Sequence, residues 1–212
     1  MSSSTEPQVD LPEALFERID SSDDRLFYCV PRMVTHIDDA TIEMLTRYYA
    51  EVLPREGALL DLMSSCVSHL PPDREWPRIV GLGMNAAELA ANPRLSERVV
   101  QDLNQHPELP FATGSFAAVM IVVSVQYLTR PVAVFREIAR VLQPGGRLIV
   151  AMSHRCFPTK AVRAFRELDA VERVRLVGAY CTLAGGFLEP AFVDRSPWQA
   201  DPLWIVTALR DA

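Results

Sequence analysis

Apolar residues fall along this chain in two rhythms. Val119 to Val123 is an unbroken apolar run, and Leu148 to Ala151 is another. Such runs predict strands buried on both faces. Between them Val132, Phe135, Ile138, Ala139 and Leu142 recur at helical spacing, so one face of that segment is apolar. Pro144-Gly145-Gly146 predicts a turn that stops the helix. Two buried strands joined by a helix make a βαβ crossover in a mostly parallel sheet. Ligands of such sheets bind in the crevice at the carboxyl ends of the strands.

The remaining pattern extends the same architecture. Ala58 to Leu62, closing on Asp61, reads as the first strand. Arg78 to Leu82 reads as the second, and Arg98 to Leu103 as the third, with Asp102 at its carboxyl end. Leu188 to Asp194 and Leu203 to Leu209 predict two final strands that are antiparallel neighbours. Helices are expected at Pro12 to Ile19, Thr41 to Val52, Asn85 to Ala91 and Ala161 to Ala179, and a helix or turn at Ser64 to Leu70. Asp38 or Asp39 is placed to cap the second of these. Residues 1–10 read as a disordered tail, 11–56 as an N-terminal helical cap and 57–212 as one α/β domain.

Composition narrows the function. A net charge of -6 argues against nucleic acid as a partner, because neutralising phosphates needs clustered Lys and Arg. No apolar run is long enough to cross a bilayer, so no membrane partner is expected. The polar start lacks the apolar core of a signal peptide, which makes the cytoplasm the expected compartment. Cys29, Cys66, Cys156 and Cys181 are scattered and read as free thiols. Nothing in the sequence sets the oligomeric state.

Leu109-Pro110-Phe111, then Ser115-Phe116, then F-R-E-I-A-R-V-L-Q-P-G-G-R-L-I-V from Phe135 to Val150 resemble the second half of a class I S-adenosylmethionine-dependent methyltransferase. The likeness covers residues 57–152 and, more loosely, the end of the chain. It implies a Rossmann-like, mostly parallel seven-stranded sheet with helices on both faces. It also implies S-adenosylmethionine as cofactor and methyl transfer to a small organic acceptor.

The mouth of the implied cofactor site departs from the family. After its first strand the family carries acid-x-Gly-x-Gly-x-Gly, whose glycines let the backbone approach the cofactor. Here the segment is Asp61-Leu62-Met63-Ser64-Ser65-Cys66-Val67, with the acid kept and all three glycines replaced. Where the family has a carboxylate for the ribose, this chain has Gly83, followed by Met84 and Asn85. Either Asn85 offers one hydrogen bond, or Gly83 lets the adenosine sit closer. Asp102-Leu103 resembles the segment that takes the adenine, and Ser124 follows the fourth strand. Ala117 stands where the family has a structural Asp.

The catalytic candidates are His36 and Tyr127. His36 lies beside Asp38 and Asp39 and resembles a base with an orienting carboxylate, although a helix N-terminus explains both Asp residues equally well. Tyr127 sits in the loop that lines the family's cleft between cofactor and acceptor. Cys66 and His69 are half of a metal site if helical, but read better as a packing thiol and a surface histidine; no metal is expected. Cys156 is either a nucleophile or part of a loop lining the acceptor pocket. The rival function is a protein of this fold that has lost methyl transfer and serves as another small-molecule catalyst or a binding partner. No G-x-G-x-x-G follows any strand, which disfavours a nicotinamide enzyme.

Overall fold

A computed structural model describes residues 11–212; the tail expected at 1–10 lies outside the described residues. A 3-10 turn at Glu13–Phe16 leads to α1 (Asp24–Tyr28) and α2 (Asp39–Val52). Then come β1 (Ala58–Leu62), β2 (Arg78–Gly83), α3 (Ala86–Ala91), β3 (Glu97–Val100) and β4 (Phe116–Val122). The chain continues through α4 (Pro131–Val141), β5 (Leu142–Met152), α5 (Arg163–Glu167), α6 (Ala170–Ala184), β6 (Ala191–Asp194) and β7 (Trp204–Leu209).

The strands form one seven-stranded sheet in the order β3-β2-β1-β4-β5-β7-β6. β1 to β5 are parallel, and β7 runs antiparallel between β5 and β6. The apolar run in β4 is explained by this order, since β4 lies between β1 and β5 with both faces covered. One face packs α4 and α6, through residues such as Phe135, Ile138, Val177 and Tyr180. The other packs α2, whose Leu45, Tyr48 and Tyr49 share a buried cluster with Leu59, Ile149 and Ile205. Residues 11–52 are therefore divided. α2 belongs to the core, and the segment before it reaches the carboxyl edge of the sheet.

Several local expectations come out differently: the helix expected at Pro12 to Ile19 is only the 3-10 turn Glu13–Phe16, and of the helix or turn expected at Ser64 to Leu70 the helix is absent. No helix follows β1; residues 63–77 are irregular. The hydroxyls of Ser64 and Ser68 both donate to the Asp61 carboxylate, an alternative to helical backbone bonding, and Pro71-Pro72 then bars a helix. The helix expected over Ala161 to Ala179 is two helices. Asp169 and Glu172 form a capping box that starts α6 afresh, and Gly185 (φ 74°) ends it. Pro144-Gly145-Gly146 lies within the span of β5 and is not a turn ahead of it. Pairing with β4 jumps there from Phe116–Leu142 to Ala118–Arg147, and Gly145 takes the left-handed conformation (φ 72°).

Candidate functional site

β1 lies between β2 and β4, so the chain leaves it towards opposite edges of the sheet. Parallel sheets open a crevice at such a switch point. A cavity of about 300 Å³ occupies it. Its walls include Asp61, Met63, Ser64 and Ser65 from the end of β1 and the turn beyond it, Gly83, Met84 and Asn85 from the end of β2 onward, and Asp102 and Leu103 after β3. Ser124 and Tyr127 join from the segment after β4, and His36 from the N-terminal segment. All twelve candidate positions thus meet around one space, brought there by five separate stretches of chain.

Two polar groups in this wall have no partner among the described residues. They are Oδ2 of Asp102 and the hydroxyl of Ser124. The other Asp102 oxygen accepts from the Asn104 amide at 2.8 Å. A buried polar atom left unpaired costs about 1–3 kcal/mol, so two of them in one cavity point to a polar ligand. The backbone adds a second sign. His36, Met63, His69 and Val123 all line the cavity with positive φ, of 66°, 60°, 52° and 39°. Met63 holds the left-handed conformation at the first position where the related pattern has glycine. Each such residue costs of order 1–3 kcal/mol, and this kind of strain collects at ligand sites.

The acid after β1 is firmly held. Asp61 accepts from Ser64 Oγ at 2.7 Å and Ser68 Oγ at 2.6 Å, and Ser68 accepts in turn from Asn92. Burial outweighs these bonds and pushes its carboxyl up to about 6. The turn then crosses the end of β2. The Ser64 amide donates to the Leu82 carbonyl at 2.8 Å, and a Cβ at Gly83 would sit 2.2 Å from the Ser64 carbonyl oxygen. Gly83 is needed by a neighbouring strand of protein, and the space of a side chain there is taken by the β1 turn.

Asn85 does not offer its side chain to a ligand. Its Oδ1 accepts from the Ala87 and Glu88 amides as the cap of α3, and its Nδ2 donates to the carbonyls of Tyr28 and Cys29. It fastens the N-terminal segment over the cavity. Asp24, at the start of α1, is fastened deeper. It accepts from Arg18 and Asn104 and lies 3.1 Å from the ammonium of Lys160, which is wholly buried. Lys160 also reaches Asp20 at 3.0 Å and donates to the Ser22 carbonyl at 2.9 Å.

Of the catalytic candidates, His36 is partly buried and stands edge-on to Phe157, with centroids 5.6 Å apart. Burial lowers its pKa, which favours the neutral imidazole. Asp38 is not its orienting carboxylate. It caps α2 by accepting from the Thr41 amide, and it also accepts from the Asp201 amide. Tyr127 stacks on Phe157, and its hydroxyl accepts from the Phe157 amide at 2.8 Å. Burial pushes this phenol up to about 12, so it keeps its proton and is no base at neutral pH. Cys156 lines the cavity as a thiol, raised by burial.

His69 overturns the surface reading. It is 8% exposed, lines the cavity, and is held near 4 by burial and by the proximity of His36. Cys66 lies near the carbonyls of Arg32 and Val34, and no group of three metal-ligating side chains occurs among the described residues. Glu88 was also missed. It is buried in the first turn of α3, accepting from the Arg32 amide at 2.7 Å and from Ser65 Oγ at 2.8 Å. A glutamate in a short amphipathic segment reads as solvated, and only the cap above it removes the water.

Fold and cavity together define a Rossmann-like α/β domain with an open site at the switch point of its sheet. Residues 66–150 match the family model described as a methyltransferase domain, so the resemblance of the second half holds. No curated protein sequence matches the chain. Among solved structures, the chain is similar to the cyclase SpnF, with a TM-score of 0.58 and 18% identity over 79% of this chain and 81% of that one. It is similar to the putative methyltransferase in a Haloferax volcanii complex with the Trm112 activator (TM-score 0.58, 16% identity, 80% of this chain and 90% of that one). It is also similar to a Streptomyces coelicolor geranyl diphosphate C-methyltransferase solved with Mg2+, geranyl diphosphate and S-adenosyl-L-homocysteine (TM-score 0.55, 15% identity, 79% and 77% covered). At such identities the likeness is one of fold. No helix among the described residues is long and apolar enough to cross a membrane.

Proposed function

We propose that the protein binds S-adenosylmethionine in this cavity and methylates a small organic acceptor. The observation that carries the reading is the pair of unpartnered polar groups, Asp102 Oδ2 and Ser124 Oγ, at the switch point of a methyltransferase-type sheet. Asp102 would take the adenine amino group, with Leu103 against the ring. Met63, Ser64 and Ser65 would meet the amino-acid end, and Gly83 and Met84 would flank the ribose. The cofactor, when bound, supplies a methyl group on a sulfonium.

What the chain adds is mostly position and exclusion of water. The N-terminal segment, tied down by Asn85, Asp24 and Lys160, closes the cavity from above. Neutral His36 accepts the proton that the acceptor gives up as it is methylated. Tyr127, fixed by the Phe157 amide, walls the passage between the two ligands. Among the described lining residues Arg155 is the one Lys or Arg, which favours a small acceptor over nucleic acid.

The second reading is a protein of this fold that does other chemistry. The β1 turn without glycine or a following helix favours it, as does the likeness to a structure described as a cyclase. Titration calorimetry with S-adenosylhomocysteine separates the two. Binding supports the donor site, and no heat at millimolar ligand with folded protein leaves the second reading standing.

A further inference from the structure

We propose that Glu88 supplies, from α3, the carboxylate for the ribose hydroxyls that the end of β2 lacks. The inference rests on the methyl-donor reading above. Four carboxylates line the cavity, those of Asp24, Asp61, Glu88 and Asp102. Asp24 is consumed by Arg18, Lys160 and Asn104. Asp61 lies beneath the β1 turn, 3% exposed, with Ser64 and Ser68 on one oxygen. Asp102 follows β3, the edge strand, and is separated from β1 by β2. Glu88 remains, and it occupies the corner at issue.

Its position follows from the connections around it. The Ser64 carbonyl fills the side-chain space at Gly83, and the next residue, Ser65, donates to Glu88 Oε2. The Glu88 carboxylate therefore stands beside the turn that displaced the β2 side chain. A carboxylate has about four acceptor sites, and Glu88 uses two of them, one for Ser65 and one for the Arg32 amide. The two bonds fall on different oxygens, Oε2 taking the one from the turn and Oε1 the one from the N-terminal segment. Acceptor capacity is left at a group 8% exposed on a cavity wall. A vicinal diol offers two O–H donors, the complement of that capacity. The bond from the Arg32 amide ties this acceptor to the N-terminal segment.

The test compares adenosine with 2′,3′-dideoxyadenosine by calorimetry. Wild type should prefer the diol by about tenfold to a hundredfold, as expected for hydrogen bonds to a charged group. In Glu88→Gln, which keeps the size of the side chain but not its charge, that preference should largely vanish. A purely structural Glu88 would weaken both ligands equally and leave the preference unchanged, and that result overturns the proposal. Should Glu88→Gln not fold, the Glu88 carboxyl carbon resonance of labelled wild type replaces it. It should move with adenosine and stay with the dideoxy ligand; movement with both, or with neither, overturns the proposal. If wild type binds neither adenosine nor S-adenosylhomocysteine, the donor reading itself fails, a result distinct from binding without diol preference.

Discussion

Gly83→Asp would restore the carboxylate that the related pattern carries after the second strand, and it should damage this protein. The new Cβ would lie 2.2 Å from the Ser64 carbonyl oxygen, 3.2 Å from its carbon and 3.3 Å from Leu89 Cδ2. Leu89 can rotate; a backbone carbonyl cannot. The turn would have to retreat by roughly 1 Å to reach ordinary contact. Overpacking of this kind costs about 1–3 kcal/mol. Moving the turn also breaks the bond from the Ser64 amide to the Leu82 carbonyl, worth about 0.5–1.5 kcal/mol. The total is about 1.5–4.5 kcal/mol, and for a chain of this size each kcal/mol lowers Tm by about 2–4 °C. A fall of roughly 5–15 °C is therefore expected by circular dichroism, with weaker S-adenosylhomocysteine binding. Gly83→Ala should share the sign, since the clash begins at Cβ. An unchanged Tm with tighter binding in Gly83→Asp would refute the reasoning.

Asp61 has a carboxyl raised to about 6 from an ordinary 3.8, so the folded state binds more protons between those values. Its contribution to stability is then favourable at low pH and lost as pH rises from about 4 to 6.5, by about 3 kcal/mol in all. Wild type should thus weaken over that range relative to Asp61→Asn, whose urea midpoints carry no such term; parallel curves would sink the idea. Asp102→Ala should weaken S-adenosylhomocysteine by about tenfold or more, with little change in urea midpoint, because only the Asn104 amide loses a partner. Equal affinity would remove Asp102 from the adenine site. Lys160→Met should lower the urea midpoint by leaving buried Asp24 with Arg18 alone as its cation, and should speed proteolysis between residues 20 and 37. Unaltered cleavage there would show that the ammonium does not hold the segment down.

The crossover from β4 through α4 to β5 was legible because its signals are local. An apolar run, a helical stripe and a helix stop each concern residues a few positions apart, and the family likeness lies in the same stretch. The carboxyl edge was legible for a related reason, since parallel strands all end on one side and carry Asp61, Gly83, Asp102 and Ser124 there. The details of the mouth depend on contacts between distant residues. Asn85 looked free to bind a ligand until Tyr28 and Cys29, fifty-odd residues earlier, took its amide. Asp38 suited a catalytic partner as well as a cap, and Thr41 and Asp201 decided for the cap. His69 read as a surface residue and Glu88 drew no notice, because polarity along the chain says nothing of what will cover it. The N-terminal segment and the β1 turn remove the water from both, and burial then makes a neutral imidazole of one and a constrained carboxylate of the other. Periodicity determined the sheet; the packing of non-local segments over its edge decided the chemistry of the cavity.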